Sequence, residues 1–292
     1  MVPIAISEPK MKSTTQNDYY TSYNPSVSNT HHWRTASTSV PSLAQHLQNS
    51  KSLKILDVGC GPGTITYDIY NDYGTMNEIY GVDTIEEMLE NCRKEHCDGK
   101  SKQKNEKNNN TLQFMLGSAY DLPFEDDTFD IVFCSQVLLH LEHPVKAINE
   151  MKRVLKKNKS SGSSYLFTFE AIVRSLLVHP PEYEKPLDDY FMSQKSKYTK
   201  FDMGLQLKDV FYQSENALEP SRRSPPKSLK LDMFTWCIST AAERELFATM
   251  YSSRMADLSP QDIDMYKKAW KDWAANTASV LTLNHGVLIC EY

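Results

Sequence analysis

The sequence predicts an α/β protein with a doubly wound, mostly parallel sheet, its open edge covered by an irregular, mainly helical region. Three observations carry this. Short apolar runs of strand length (LKILDV, EIYGVD, LQFMLG, FDIVFCS, SYLFTFE) recur between amphipathic stretches of helix length. The first run closes on Gly59, Gly61 and Gly63, three of the chain's ten glycines within five residues. From Ala171 onward the alternation breaks, and Tyr, Pro, Met and Phe become frequent. Repeated strand–helix–strand units whose strands are mostly apolar fit a parallel sheet covered on both faces.

In chain order, residues 1–30 are polar and read as a loosely held leader. Trp33, Val40, Leu43 and Leu47 could form one face of a short helix begun near Pro41. Leu53 to Val58 is the first strand, followed by a helix from about Thr64, and Glu78 to Asp83 is the second. The next helix has Thr84 and Glu87 at capping-box spacing, with Ile85, Met88, Leu89 and Cys92 as its apolar stripe. Gly99 to Asn110 is Lys- and Asn-rich and reads as a solvated insertion. Strands three and four are Leu112 to Gly117 and Phe129 to Ser135. An amphipathic helix then turns Val145, Ile148, Met151 and Leu155 inward, and Ser164 to Glu170 is strand five. A turn-rich break at Ser221 to Ser228, two helices and a final strand, GVLICEY, follow. The organisation predicted is a core over residues 31–170, a substrate-covering region over 171–285, and a return to the sheet at 286–292.

Composition narrows the function. The chain has 292 residues, and 32 basic against 37 acidic residues give a net charge of −5, which argues against a nonspecific grip on nucleic acid. No apolar run approaches the roughly 20 residues of a membrane helix, and the N-terminus lacks a secretory h-region. Six cysteines at irregular spacing form no disulfide or zinc framework, so a reducing, cytoplasmic setting is expected.

The glycine turn is where chemistry is expected. Glycines between a strand and a helix permit positive φ and close approach of a ligand to backbone. The helix start that follows supplies N–H groups for an anionic ligand group. The spacing is G-x-G-x-G, with Thr64 where a dinucleotide fingerprint needs its third glycine, and no G-K-[ST] follows. Asp57, just before the turn, suits a ligand carrying positive charge such as an ammonium or sulfonium. Asp83, ending strand two, is placed to accept hydrogen bonds from both hydroxyls of a ribose.

LDVGCGPG, YGVDTIEEMLE and LPFEDDTFDIVFCSQVLLHLEHPVKAINEMKRVLK resemble the successive motifs of class I S-adenosylmethionine-dependent methyltransferases. The closest likeness is to the small-molecule branch similar to ubiquinone and menaquinone C-methyltransferases. The resemblance runs from about Trp33 to Lys157, with a further likeness in the tail from Ala269 to Tyr292. It implies a seven-stranded Rossmann-like methyltransferase fold, S-adenosyl-L-methionine as cofactor and a small organic acceptor. It also implies that Asp57, Gly59, Gly61 and Gly63 enclose the cofactor's methionine part, and that Asp83 holds the ribose with Thr84 and Met88 beside the adenosine. Ser118, with Ala119 next to it, stands where relatives usually carry an acid for the adenine amino group. Ser135 and Gln136 would line the cofactor near its sulfur. Trp33 and Arg34 resemble a Trp-Arg-Thr segment that closes over the site; Arg34 reads equally as a cofactor-carboxylate contact or a surface cation.

His140 and His143 have H-x-x-H spacing but no third ligand type nearby, so no metal is expected. His140 reads as a polar wall or helix start, and as a general base only if the acceptor must lose a proton. Tyr266, Trp270 and Trp273 share a helical face, read first as core and second as a stacking surface. Competing functions are an NAD-dependent oxidoreductase, which would need the missing G-x-G-x-x-G, and a noncatalytic subunit that keeps the fold. A nucleic-acid or protein methyltransferase is disfavoured by the acidic charge and by SQVL after strand four.

Overall fold

The computed structural model describes residues 31–97, 109–157, 162–193, 200–218, 225–253, 255 and 258–292. The leader, the Lys-rich insertion up to residue 108 and the start of the break at Ser221 lie outside the described residues.

Two short helices open the described chain: Ala36–Ser39 (α1), begun by a capping box between Thr35 and Thr38, and Pro41–Leu47 (α2), begun on its proline. Lys54–Val58 (β1), Thr64–Asp72 (α3), Glu78–Asp83 (β2), Glu86–Cys92 (α4) and Thr111–Leu116 (β3) follow. Next come Ile131–Ser135 (β4), Pro144–Val154 (α5) and Tyr165–Ala171 (β5). The covering region adds Leu177–His179 (β6), Glu184–Ser193 (α6), Met203–Asn216 (α7), Ser228–Ile238 (β7), Ala241–Ser252 (α8) and Pro260–Ala275 (α9). Val280–Glu291 (β8) closes the sheet and starts six residues before the predicted strand.

The strand order is β3-β2-β1-β4-β5-β8, with β7 on the far edge of β8. The first five strands are parallel, with registers such as Ile55↔Ile79, Ile55↔Ile131 and Phe133↔Phe167. β8 runs antiparallel to β5, β6 and β7. Those seven strands without β6 are the predicted frame; β6 is a three-residue addition that shares with β5 the edge of β8 left free by β7.

Period-two alternation sorts the strand side chains. Leu56, Val58, Val132, Cys134 and Leu166 pack under α5 and α7, whereas Ile55, Ile131, Phe133, Phe167 and Phe169 pack under α1, α2 and α3. Ile148, Met151 and Leu155 are buried as their spacing predicted. α7 lies so flat on the sheet that a Cβ at Gly286 would stand 2.1 Å from the Gly204 carbonyl oxygen, so two glycines meet there. A separate core under the covering region holds Tyr190, Phe247, Tyr251, Tyr266, Trp270 and Trp273, which gives the α9 aromatic stripe its packing role. Asn110, at the end of the predicted solvated insertion, is instead buried, its Oδ1 accepting from Asn77 N at 2.9 Å.

Candidate functional site

The chain leaves β1 through a turn in which Gly59, Gly61 and Gly63 have φ of +73, +56 and +73°. The Gly59 and Cys60 amides donate to the Val82 carbonyl at 2.7 and 3.0 Å, and Gly63 N donates to Cys60 O at 3.0 Å. The three glycines serve different needs. A Cβ at Gly59 would stand 2.5 Å from Val137, and one at Gly63 2.7 Å from Phe114, whereas one at Gly61 would meet nothing within 4 Å. Gly61 therefore presents bare backbone to open space. α3 starts at once, with no side-chain cap on its first amides, so its positive end lies at the same turn.

Two acids flank the turn. Asp57 is 3% exposed, and its Oδ2 accepts from the Thr66 hydroxyl at 2.7 Å. Burial pushes its carboxyl up to about 7; the Thr66 hydrogen bond opposes this and the nearby Asp83 charge adds to it. Asp83 accepts from Gly61 N at 3.0 Å through Oδ2 and from Ile85 N at 3.2 Å through Oδ1. Burial raises its pKa as well, against the backbone donors of Gly61, Ile85 and Thr84. The bond from Thr84 N to Asp83 explains a correction, since it takes the donor that a Glu87 side chain would need. The predicted Thr84–Glu87 capping box does not form, because α4 takes Ile85 as its N-cap with no side-chain cap. Thr84 is exposed and Met88 is buried. From α4, the Cys92 thiol donates to the Gly61 carbonyl at 3.3 Å.

A second polar group joins the N-terminal segment to the end of β4 and the middle of β8. Ser135 is buried at the end of β4, and Gln136, with φ +56°, donates its amide to Phe169 O at 2.7 Å. Arg34 Nη2 donates to Gln136 Oε1 at 2.7 Å, and Gln136 Nε2 lies 3.0 Å from His285 Nε2. A guanidinium only donates, so the Gln136 amide must point its NH2 at the imidazole, and His285 accepts as the neutral tautomer protonated on Nδ1. Burial drives the His285 pKa down to about 3, with the Arg34 charge adding to the fall. Arg34 also lies over the Trp236 ring at 5.6 Å, and Trp33 meets that ring edge-on at 4.8 Å. Arg34 is thus no loose surface cation.

Glu170, which the sequence reading passed over, sits fully buried at the end of β5. Its carboxylate accepts from the amides of Val137, Leu138 and Leu139 at 3.0, 2.8 and 3.2 Å. Burial pushes its pKa up to about 8, opposed by those amides and by Arg34. It thereby fixes the turn Leu138–His140, on whose last residue His140 sits half-buried past the end of β4. Ser118 closes a tight turn after β3: its hydroxyl accepts from Tyr120 N at 3.1 Å, and Ala119 packs against the main core. Among the described residues, no group of three or more His, Cys, Asp or Glu is arranged to hold a metal, and no helix is long and apolar enough to cross a membrane.

The structure thus brings Asp57, Gly59, Gly61, Gly63 and Asp83 into one turn and links Arg34 to Gln136. Glu170 and His285 were missed, and the available signal was a lone ionisable residue inside an otherwise apolar strand (LFTFEA, NHGVLIC).

Comparison with known proteins gives these features a context. Residues 49–175, which carry β1 to β5 and the glycine turn, match a family model described as a methyltransferase domain. The chain is 31% identical to an uncharacterized methyltransferase of Schizosaccharomyces pombe, over 95% of this chain and 98% of that one. It is 36% identical to a demethylmenaquinone methyltransferase of Staphylococcus carnosus, over 39% of this chain and 43% of that one. The fold resembles the solved YcgJ protein of Bacillus subtilis at a TM-score of 0.53 and 15% identity, covering 86% of this chain and 96% of that one. With one methyltransferase matched almost end to end, and a methyltransferase domain laid over the strands that build the glycine turn, this chain belongs to the methyltransferase family.

Proposed function

We propose that the glycine turn seats S-adenosylmethionine and that the protein moves its methyl group to a small organic acceptor. The observation that carries this reading is Gly61: bare backbone facing open space, between the buried Asp57, the half-buried Asp83 and an uncapped helix start. This donor set suits a ligand with a carboxylate for the helix end and a cation for the acids. When bound, S-adenosylmethionine supplies a methyl group already activated by a sulfonium.

In this reading Asp57, pinned by Thr66, faces the positive charge, and Gly59, Gly61 and Gly63 let the methionine portion lie against backbone. Asp83 keeps lone pairs beyond those taken by Gly61 and Ile85, and accepts from the ribose, with Thr84 and Met88 alongside. The Ser118 hydroxyl, one lone pair taken by Tyr120 N, keeps a second lone pair for the adenine amino group and a proton for a ring nitrogen, and Ala119 borders the same end. Ser135 and Gln136 line the reacting end, while Trp33 and Arg34 close over it. The chain's contribution to rate is orientation and exclusion of water, worth several kcal/mol. His140 would take a proton only from an oxygen or nitrogen acid acceptor.

The test is thermal shift with S-adenosylhomocysteine and NADH. A rise in melting temperature with the first and none with the second is expected; the reverse would overturn the reading in favour of a nicotinamide enzyme. Incubation of cell extract with deuteromethyl-labelled cofactor then identifies the acceptor by mass.

A further inference from the structure

We propose that β7 is a homodimer edge, on which a second copy of the chain adds its own β7 antiparallel to form one continuous sheet. The argument starts from hydrogen-bond parity. Ser164 and Tyr292 exchange backbone bonds, and Ile172 N donates to Asn284 O, so the even-numbered residues of β8 point their backbone groups at β5. The odd-numbered residues of β8 therefore serve β7, and the register Leu231↔Leu288 puts the even residues of β7 on that ladder. Leu229, Leu231, Met233 and Thr235 turn their N–H and C=O outward. Consistent with this, Met233 N donates to the side chain of Asp232 at 2.9 Å.

The open part of this edge is its first half. Residues 228–235 are exposed or half-buried, whereas Trp236 and Ile238 are buried and the Trp236 indole donates to Thr38 O. Among the described residues, β8 is the one strand that pairs with β7. A row of backbone groups outside the β7–β8 ladder, with Met233 N held only by its neighbour's side chain, is a template for another strand.

Charge selects the occupant. A two-fold axis can pass through an outward-facing or an inward-facing residue pair, but a centre at Lys230 or at Asp232 would set that residue against its own copy, like charge on like. The centre at Leu231 confines pairing to residues 228–234 and sets Lys230 opposite Asp232 of the second copy, twice. Lys230 and Asp232 are already neighbours in one chain, 2.5 Å apart and largely exposed, ready to exchange partners. The same register stacks Leu231 on Leu231 and Leu229 on Met233. Leu231 and Met233 are 44 and 56% exposed in the single chain. They lie on the α7 side, because Met233 is the cross-strand neighbour of Gly286, on which Gly204 rests. A strand that complements itself in both charge and apolar contacts fits a second copy.

Sedimentation of the full chain in the micromolar range tests this. The wild type is expected as a dimer, and K230E, which sets acid against acid at both pairs, is expected to weaken it about tenfold or more. D232K should do the same, and an equimolar mixture of K230E and D232K should recover a dimer, since each chain then offers the other opposite charges. L231P removes an outward N–H that the β7–β8 ladder does not use, and it should give a folded monomer whose cofactor binding is unchanged. A wild type that stays monomeric throughout, or a dimer indifferent to K230E and L231P, overturns the proposal. So does a mixture that stays monomeric while each variant keeps its melting temperature.

Discussion

Asp57→Asn tests the electrostatics of the turn directly. The carboxyl is buried, and its pKa rises from an ordinary 3.8 to about 7 in the folded protein. That shift of roughly three units corresponds to ~4 kcal/mol. Because the folded value is raised, the native state holds a proton that the unfolded chain releases first. Stability is therefore lost as pH climbs from about 4 to about 7, and the full cost stands above that window. Asparagine cannot ionise, yet its Oδ1 can still accept from the Thr66 hydroxyl. The ligand-free variant should thus be more stable than wild type at pH 8 by about 2–4 kcal/mol, a melting-temperature gain of roughly 4–10 °C. At pH 5 less than half of this gain should remain. Binding should move the other way: affinity for S-adenosylmethionine falls about 10- to 100-fold, and affinity for S-adenosylhomocysteine, which keeps the ammonium but loses the sulfonium charge, falls less. Scanning calorimetry at both pH values and titration calorimetry with both ligands make the measurement. A variant less stable than wild type at pH 8, or one with equal losses for the two ligands, would refute this reasoning.

Three further variants have expected outcomes. Gly61→Val should fold, at a cost of about 1 kcal/mol for its positive φ, and lose cofactor affinity; Gly63→Ala, whose Cβ would stand 2.7 Å from Phe114, should melt several degrees lower, and calorimetry separates the two effects. Gln136→Ala severs Arg34 from His285 and leaves an imidazole without its 3.0 Å donor; a stability loss of about 1–3 kcal/mol and faster proteolysis before Thr35 are expected, read by denaturant titration and limited trypsin digestion.

The legible and illegible parts of this chain divide along physical lines. β1 to β5 could be read because strands buried on both faces are apolar throughout, and glycines and a proline mark the turns and helix starts. β7 was passed over because SLKLDMFTWCI alternates exposed with half-buried residues, and its aromatics look like those of the neighbouring helices. The Thr84–Glu87 pair had the right spacing for a cap, but the Asp83 carboxylate accepts from Thr84 N, the donor that Glu87 would need. That competition belongs to the folded turn and cannot be seen in a one-dimensional pattern. Asp57, Asp83 and the glycines were found because they are contiguous with a strand end. The Arg34–Gln136–His285 chain spans most of the sequence, its last two members 149 positions apart, so only the fold could assemble it.

β8 has a bearing on how the protein comes into being. Every antiparallel strand pair of the described sheet runs through this one strand, yet the ribosome makes it after all the others. Until residues 280–291 emerge, the nascent chain carries two long unsatisfied margins, on β5 and on β7. During those seconds of synthesis a chaperone shielding the β5 margin would meet the chain at its most aggregation-prone.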